Sequence, residues 1–292
     1  MKRIQQAALF IFILLAIVFV RPLSLADQTA KGFEIHFLDV GQADSAIIIC
    51  DGKVLMIDGG NTEDSGLVFS YLKDTLNVSH IDMMVSTHPH EDHVGGLSGA
   101  LSACSVGEVF SPVLEYDSKP FNDFLRQVEK QGISLRVPKA GDTFPLGSAA
   151  MQFLTPLRTD YPMENDRSLV VRVTYGKTSF LFMGDAELSA ENDIVKAGRD
   201  LLYELQSDLI KVGHHGWDTS TTLALLQAVK PQYAVISIGE KNSFYHPFLD
   251  VLDRLKAAKA RIYRTDRDGH IVCFSDGETI TFKKEKKDPN LF

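Results

Sequence analysis

From Gly32 onward, short apolar blocks alternate with turn residues, and both the strand period and the helix period can be read in them. "GFEIHFLDVGQADSAIIICDGKVLMIDGG" is rich in β-forming residues, and Asp51-Gly52 divides two of its apolar runs, a strong hairpin signal. Residues 65–78, "SGLVFSYLKDTLNV", place Leu67, Val68, Tyr71, Leu72 and Leu76 at helical spacing. "IDMMVST" is a short buried strand, and residues 121–132 predict a helix ended by Gly132. The second half repeats the style. "AAMQFLTP" and "SLVVRVTYGKTSFLFMGD" are strands, and "AELSAENDIVKAG" is a helix with Glu187 and Glu191 on one face. "SDLIKVGHHG" is a strand ending in two histidines, and "TTLALLQAVK" is a helix stopped by Pro231. After the strand "QYAVISIG", Pro247 opens a last helix, and "RIYRTDRDGHIVCFSDGETITF" closes the fold as β-ribbons with turns at Asp268-Gly269 and Asp276-Gly277. No linker interrupts residues 32–282, which predicts one α/β domain of two similar halves, with two sheets inside and helices outside.

The first residues follow another pattern. Lys2 and Arg3 precede an uncharged apolar run from Ala7 to Val20, and Ser24-Leu25-Ala26 then offers small residues where a signal peptidase reads. Residues 1–26 therefore read as a signal peptide, or as an uncleaved anchor, since Arg21 follows the apolar core. Either reading puts the folded part outside the cytoplasm, secreted or held at the cell surface. The last residues, 283–292, form a charged tail.

Charge narrows the partners. Without residues 1–26 the chain keeps 27 lysines and arginines against 38 acids, so nucleic-acid binding has no support from net charge and would need a local basic groove. The three cysteines, Cys50, Cys104 and Cys273, are odd in number and widely spaced, which is no disulfide framework, though one bridge is compatible with an oxidising compartment.

The chemistry concentrates in "STHPHEDHVGG". His88, His90, Asp92 and His93 follow a buried strand in the pattern H-x-H-x-D-H. In extended backbone, residues two apart point the same way, so His88 and His90 can grip one cation while Asp92 and His93 face a second. Imidazole with carboxylate suits Zn²⁺, Mn²⁺ or Fe²⁺. Three further strand ends deliver such groups: Asp58 in "LMIDGG", Asp185 in "FLFMGD", and His214 and His215 in "LIKVGHHG". Ligand sites in α/β folds gather at such ends. His36, His80 and His270 stand alone and read as structural or exposed.

These stretches, with "NDRSLVV", "VISIGEKNSFYHP" and "IYRTDRDGHI", resemble the metallo-β-lactamase superfamily, and within it the hydrolase domain of the ComEC-like DNA-uptake proteins. The resemblance runs from Phe33 to Phe282 and implies an αββα sandwich with two divalent metal ions, Zn²⁺ or Mn²⁺, between the sheets. By position it implies His88 and His90 on the first metal, Asp92 and His93 on the second, Asp185 between them, and His214 or His215 completing the second site. Asp58 would order the motif loop. Where the superfamily usually has a third histidine for the first metal, Asn165 is the nearest match. Ala43, Trp217 and Tyr245 also depart from the ComEC-like pattern, and the last two add aromatic surface beside the expected pocket.

Two cations would supply a nucleophile from water for attack at phosphorus or a carbonyl carbon. Asp92 would orient it. His246 would either donate to an oxyanion or leaving group, or only fix the loop before Pro247. The expectation is a secreted metal-dependent phosphodiesterase or nuclease. The alternatives are a hydrolase of a small extracellular ester, such as a cell-wall phosphocholine ester, and a binding protein with a degenerate metal site. The full DNA-uptake proteins add a membrane channel and a small domain that this sequence does not show, so a role in transformation is not inferred from the resemblance.

Overall fold

The computed structural model describes residues 32–240 and 242–286. The signal-peptide or anchor expectation for residues 1–26 lies outside them. Among the described residues, no helix is long and apolar enough to cross a membrane.

Among the described residues the strands are, in chain order, β1 Phe33–Phe37, β2 Ser45–Cys50, β3 Lys53–Gly59, β4 His80–Val85, β5 Ser105–Phe110, β6 Leu135–Arg136, β7 Thr143–Leu146, β8 Ala149–Phe153, β9 Val171–Tyr175, β10 Thr178–Phe182, β11 Leu209–Lys211, β12 Tyr233–Ile236, β13 Arg261–Arg264, β14 Ile271–Ser275 and β15 Ile280–Lys284. The first sheet runs β15-β14-β1-β2-β3-β4-β5-β6 and the second β13-β12-β11-β10-β9-β8-β7. Each sheet is antiparallel on one side and parallel on the other. The parallel pairs are β3 to β6 in the first sheet and β10 to β13 in the second.

The strand period decides which side chains meet. On β2, Ala46, Ile48 and Cys50 face the space between the sheets, while Ile47 faces the helices. On β10, Phe180 and Phe182 turn inward and Leu181 outward. The inner layer is aromatic: Phe180 stacks on Phe33 at 4.8 Å and Phe182 on Phe37 at 6.0 Å. Truncating such a buried ring to alanine costs about 3–5 kcal/mol.

Helices cover both outer faces. Ser65–Ser70 (α1), Glu91–Val94 (α2), Leu97–Ala103 (α3) and Lys119–Lys130 (α4) lie on the first sheet. Leu188–Arg199 (α5), Leu223–Val229 (α6) and Leu249–Ala257 (α7) lie on the second. The result is the expected αββα sandwich.

Local expectations moved in three places. The helix of residues 65–78 ends its α turn at Ser70 and continues as a wider turn over Tyr71–Thr75, which leaves Leu67 exposed rather than buried. The closing segment is not one ribbon. β13 joins the second sheet, a short turn at Thr265–Asp268 (α8) crosses over, and β14 and β15 return to the first sheet, so the halves are not contiguous in sequence. β15 extends through Lys284, which pairs with Asp268 at 2.6 Å, inside the segment read as tail. All three cysteines are buried and free, and Cys50 and Cys273 belong to the inner core.

Candidate metal centre

Strand ends at one edge of the sandwich carry the titratable groups inward. β3 ends in Asp58-Gly59, β4 runs into the motif loop, β10 into Asp185, and β11 into His214 and His215. The motif loop sits directly on the end of β3. A Cβ on Gly96 would lie 1.9 Å from the Gly59 carbonyl oxygen, so only glycine permits that approach. His90 keeps extended backbone (φ −68°, ψ 151°) and caps α2, which puts Asp92 and His93 on the first helical turn. His88 and His90 therefore share a side, with Nε2 of His88 3.1 Å from Nδ1 of His90. The His93 ring lies 4.1 Å from that of His88, and its Nε2 faces Asp185 and Asp92.

Asp185 stands between two sets of imidazoles. Its Oδ1 lies 3.2 Å from Nε2 of His93, and its Oδ2 lies 3.8 Å from Nε2 of His88, 3.7 Å from Nε2 of His214 and 3.9 Å from Nε2 of His215. On one side, Asp92, His93, Asp185 and His215 each bring a donor atom within 4.8 Å of the others. His215 Nε2 lies 3.1 Å from Asp92. His88, with His90 against it, and His214 each approach Oδ2 of Asp185, but among the described residues no such cluster closes around them. The two adjacent histidines thus divide: His215 joins Asp92 and His93, and His214 stays outside that cluster with its Nε2 3.7 Å from Oδ2 of Asp185. Both hold left-handed backbone, φ 46° at His214 and 53° at His215, as does Asp58 at 57°. Non-glycine residues in such conformations cost about 1–3 kcal/mol and persist where the surroundings impose them.

Carboxylates stand behind the clustered imidazoles. Asp58 lies 2.9 Å from Nδ1 of His93 and accepts from the Thr87 amide and hydroxyl, so it braces ligand and loop together. Asp44 lies 3.2 Å from Nδ1 of His215, and the buried Lys211 ammonium reaches Asp44 at 2.7 Å. Nδ1 of His93 is engaged by Asp58 and Nδ1 of His215 by the Ser237 carbonyl at 3.0 Å, with Asp44 beside it, so Nε2 of each ring is turned toward the shared centre.

The electrostatics follow from crowding. Burial opposes charge on His93, yet Asp185, Asp92 and Asp58 raise it well above the usual imidazole range. Burial likewise opposes charge on His215, but Asp185 and Asp44 push it up to about 10. Asp44 is also buried, and Lys211 and His215 bring it down to about 2. Burial and the neighbouring His93 drive His88 well below that range. The cluster therefore demands positive charge at its centre. Nε2 of His93 and Oδ1 of Asp185 are buried and close, yet neither completes a hydrogen bond. Orphaned donors of these types fit a divalent cation, whose binding would displace protons from the histidines.

Asn165 donates to Glu187 at 2.8 Å and lies 3.4 Å from Nδ1 of His214, while its Oδ1 is buried and unpaired. Glu187, brought down to about 2 chiefly by its contact with His214, holds that ring at 3.1 Å. Glu191, on the same helix face, accepts from the Thr221 and Thr222 amides and secures the chain after the histidine pair. His90 is half-exposed and lies 3.1 Å from Glu164.

His246 lines the cavity over this centre. Gln42 sets its tautomer. The Gly239 amide donates to Gln42 Oε1 at 3.3 Å, so Gln42 Nε2 donates to His246 Nδ1 at 3.0 Å. The proton of the neutral ring then sits on Nε2, which is buried without a partner. Burial, with His215 and His214 nearby, pushes His246 down to about 4, which keeps it neutral.

Asp44, Lys211 and Gln42 were not among the candidates read from the sequence. Lys211 had a signal, as a lone lysine inside the apolar run "LIKV". The solitary histidines sit elsewhere: His36 is buried against Tyr71, Nδ1 of His270 accepts from the Asp39 amide, and His80 is exposed beside Ser105.

The sequence pattern of the metallo-beta-lactamase superfamily matches residues 38–240. ComE operon protein 3 of Bacillus subtilis (strain 168) is 28% identical over 256 residues, which cover 82% of this chain and 32% of that protein. Recombination protein 2 of Haemophilus influenzae is 28% identical over 244 residues, covering 82% of this chain and 28% of that protein. The chain thus spans about a third of the length of the curated relatives it matches. Among solved structures, the metallo-beta-lactamase fold protein YhfI from Bacillus subtilis superposes with a TM-score of 0.52 at 10% identity, over 84% of this chain and all of that one, a likeness of fold. With the pattern matched across most of the described chain, on an αββα sandwich carrying a histidine–aspartate cluster able to hold metal, the chain belongs to the metallo-beta-lactamase superfamily.

Proposed function

We propose that this chain is a secreted or surface-held metal-dependent phosphodiesterase working with two divalent cations, Zn²⁺ or Mn²⁺. The observation that carries this reading is Asp185, whose two oxygens face donors on both sides, His93 at 3.2 Å and His88 and His214 at 3.8 and 3.7 Å. Asp92, His93 and His215 would hold one cation with Asp185, and His88, His90 and His214 the other. When bound, paired cations make water a competent nucleophile at neutral pH and offset charge on phosphoryl oxygens.

The chain's own groups do the rest. Asp185 neutralises both positions. Asp58 holds His93, and the Ser237 carbonyl holds His215, in the tautomer that presents Nε2, with the Asp44 charge beside His215. Asp92 orients the attacking water. His246, neutral and protonated at Nε2, donates a hydrogen bond from that nitrogen to the charge that develops on the departing oxygen. Asn165 in place of a histidine favours a second reading, a binding protein with a degenerate site. Against it, Asn165 Oδ1 is an oxygen donor left free beside His214.

Turnover of bis(p-nitrophenyl) phosphate by the purified chain tests the proposal. Activity should vanish with chelator and return with Mn²⁺ or Zn²⁺. Metal-loaded protein that turns over neither this ester nor an oligonucleotide leaves the binding-protein reading in its place.

A further inference from the structure

We propose that the cavity over the metal centre selects a phosphodiester bearing an ammonium group on one ester arm. This rests on the phosphodiesterase reading and names its substrate class.

The cavity, of about 860 Å³, has two unlike walls. One is aromatic. Trp217 stacks on His214 at 5.7 Å and is held edge-on by His246 at 4.9 Å and Phe248 at 5.0 Å, so its ring is fixed rather than free to turn. Phe244 lies 5.7 Å from His246 and is exposed to the cavity's solvent side. The other wall is acidic. Glu63 and Glu91 are exposed at the rim, and neither has an ion-pair partner among the described residues. At the floor, His246 is 7% exposed, and its buried Nε2 has no partner of its own.

Aromatic faces and unpaired carboxylates on one cavity recognise a cation, because the ring quadrupole and the carboxylates attract the same charge. Among the described residues, none lining the cavity is lysine or arginine. A polyanionic strand would need such residues along its backbone. A zwitterionic phosphodiester does not. Its phosphate goes to the metal centre and His246, and its ammonium group goes to Trp217 and the two glutamates.

Trp217 is the chain's one tryptophan, so its fluorescence reports on this cavity alone. Titration of the purified chain with choline should give a saturable change. The neutral isostere 3,3-dimethylbutan-1-ol should bind about tenfold more weakly. The Glu63→Gln/Glu91→Gln double variant, altered only at exposed positions, should lose that preference. Equal binding of choline and its isostere overturns the proposal. So does a saturable response to oligothymidylate where choline gives none, which would assign the cavity to nucleic acid. Binding requires no turnover. Choline binding retained without any phosphodiesterase activity would therefore sink the hydrolase reading and leave the cation site standing.

Discussion

The imidazoles on the two sides of Asp185 are held in different ways. His93 and His215 are fully or almost fully buried, and each is backed at Nδ1 by its own carboxylate, Asp58 at 2.9 Å and Asp44 at 3.2 Å. His88 is equally buried but has only the Thr87 hydroxyl behind it at 3.2 Å, His90's side chain is 36% exposed, and His214 leans on Glu187 beside an asparagine. A ligand held in place loses little freedom when metal arrives, and a carboxylate behind it raises its basicity. The difference teaches that the two proposed cations should bind with unequal strength, the tighter one at Asp92, His93 and His215.

The shared carboxylate offers the harshest way to break this arrangement. Asp185→Asn keeps the shape and removes the charge both sides depend on. Turnover of a phosphodiester should fall by about three orders of magnitude or more, with metal content reduced on both sides and the fold retained by circular dichroism. Near-native activity and metal content would show that Asp185 does not join the two sides.

His246 touches the comparison from above, as the group that acts without holding metal. His246→Ala should lower turnover of an alkyl phosphodiester about 100-fold, with metal content unchanged. With a p-nitrophenyl leaving group, which delocalises the charge on its departing oxygen, the loss should be much smaller. An equal loss with both leaving groups would reduce His246 to a loop-fixing role.

Sharper tests act on one side at a time. Asp44→Asn removes the negative charge behind His215 and should weaken the tighter metal about 10–100-fold, leaving the weaker one alone. Asn165→His supplies an imidazole beside His214 and should tighten the weaker metal alone, by about tenfold or less. Competition with a chromophoric chelator reads both, and a change in the wrong step would dissolve the distinction between the sides.

The braced side was largely legible in the sequence, because H-x-H-x-D-H sits where an apolar strand ends and Asp58 and Asp185 end two others. What was not legible depends on distances in sequence that only the meeting of the two sheets closes. Asp44 meets His215 and Lys211 across the interface between β2 and β11, and Gln42 meets His246 from more than two hundred positions away. The separation of His214 from His215 follows from left-handed backbone at both residues, which side-chain type does not encode. β13 and β14 misled for a related reason. Strand period reveals that a segment pairs, not which sheet it joins, so a turn at Asp268-Gly269 read as a hairpin is a crossover.

Calorimetric titration of the metal-stripped chain with Zn²⁺, repeated with Mn²⁺, tests the inequality of the two sides most directly. The expected result is two steps of unequal affinity, the tighter lost in His93→Ala and kept in His90→Ala. A single step, a tighter step that disappears with His90 instead of His93, or less than about half an ion bound per chain at saturation would contradict it.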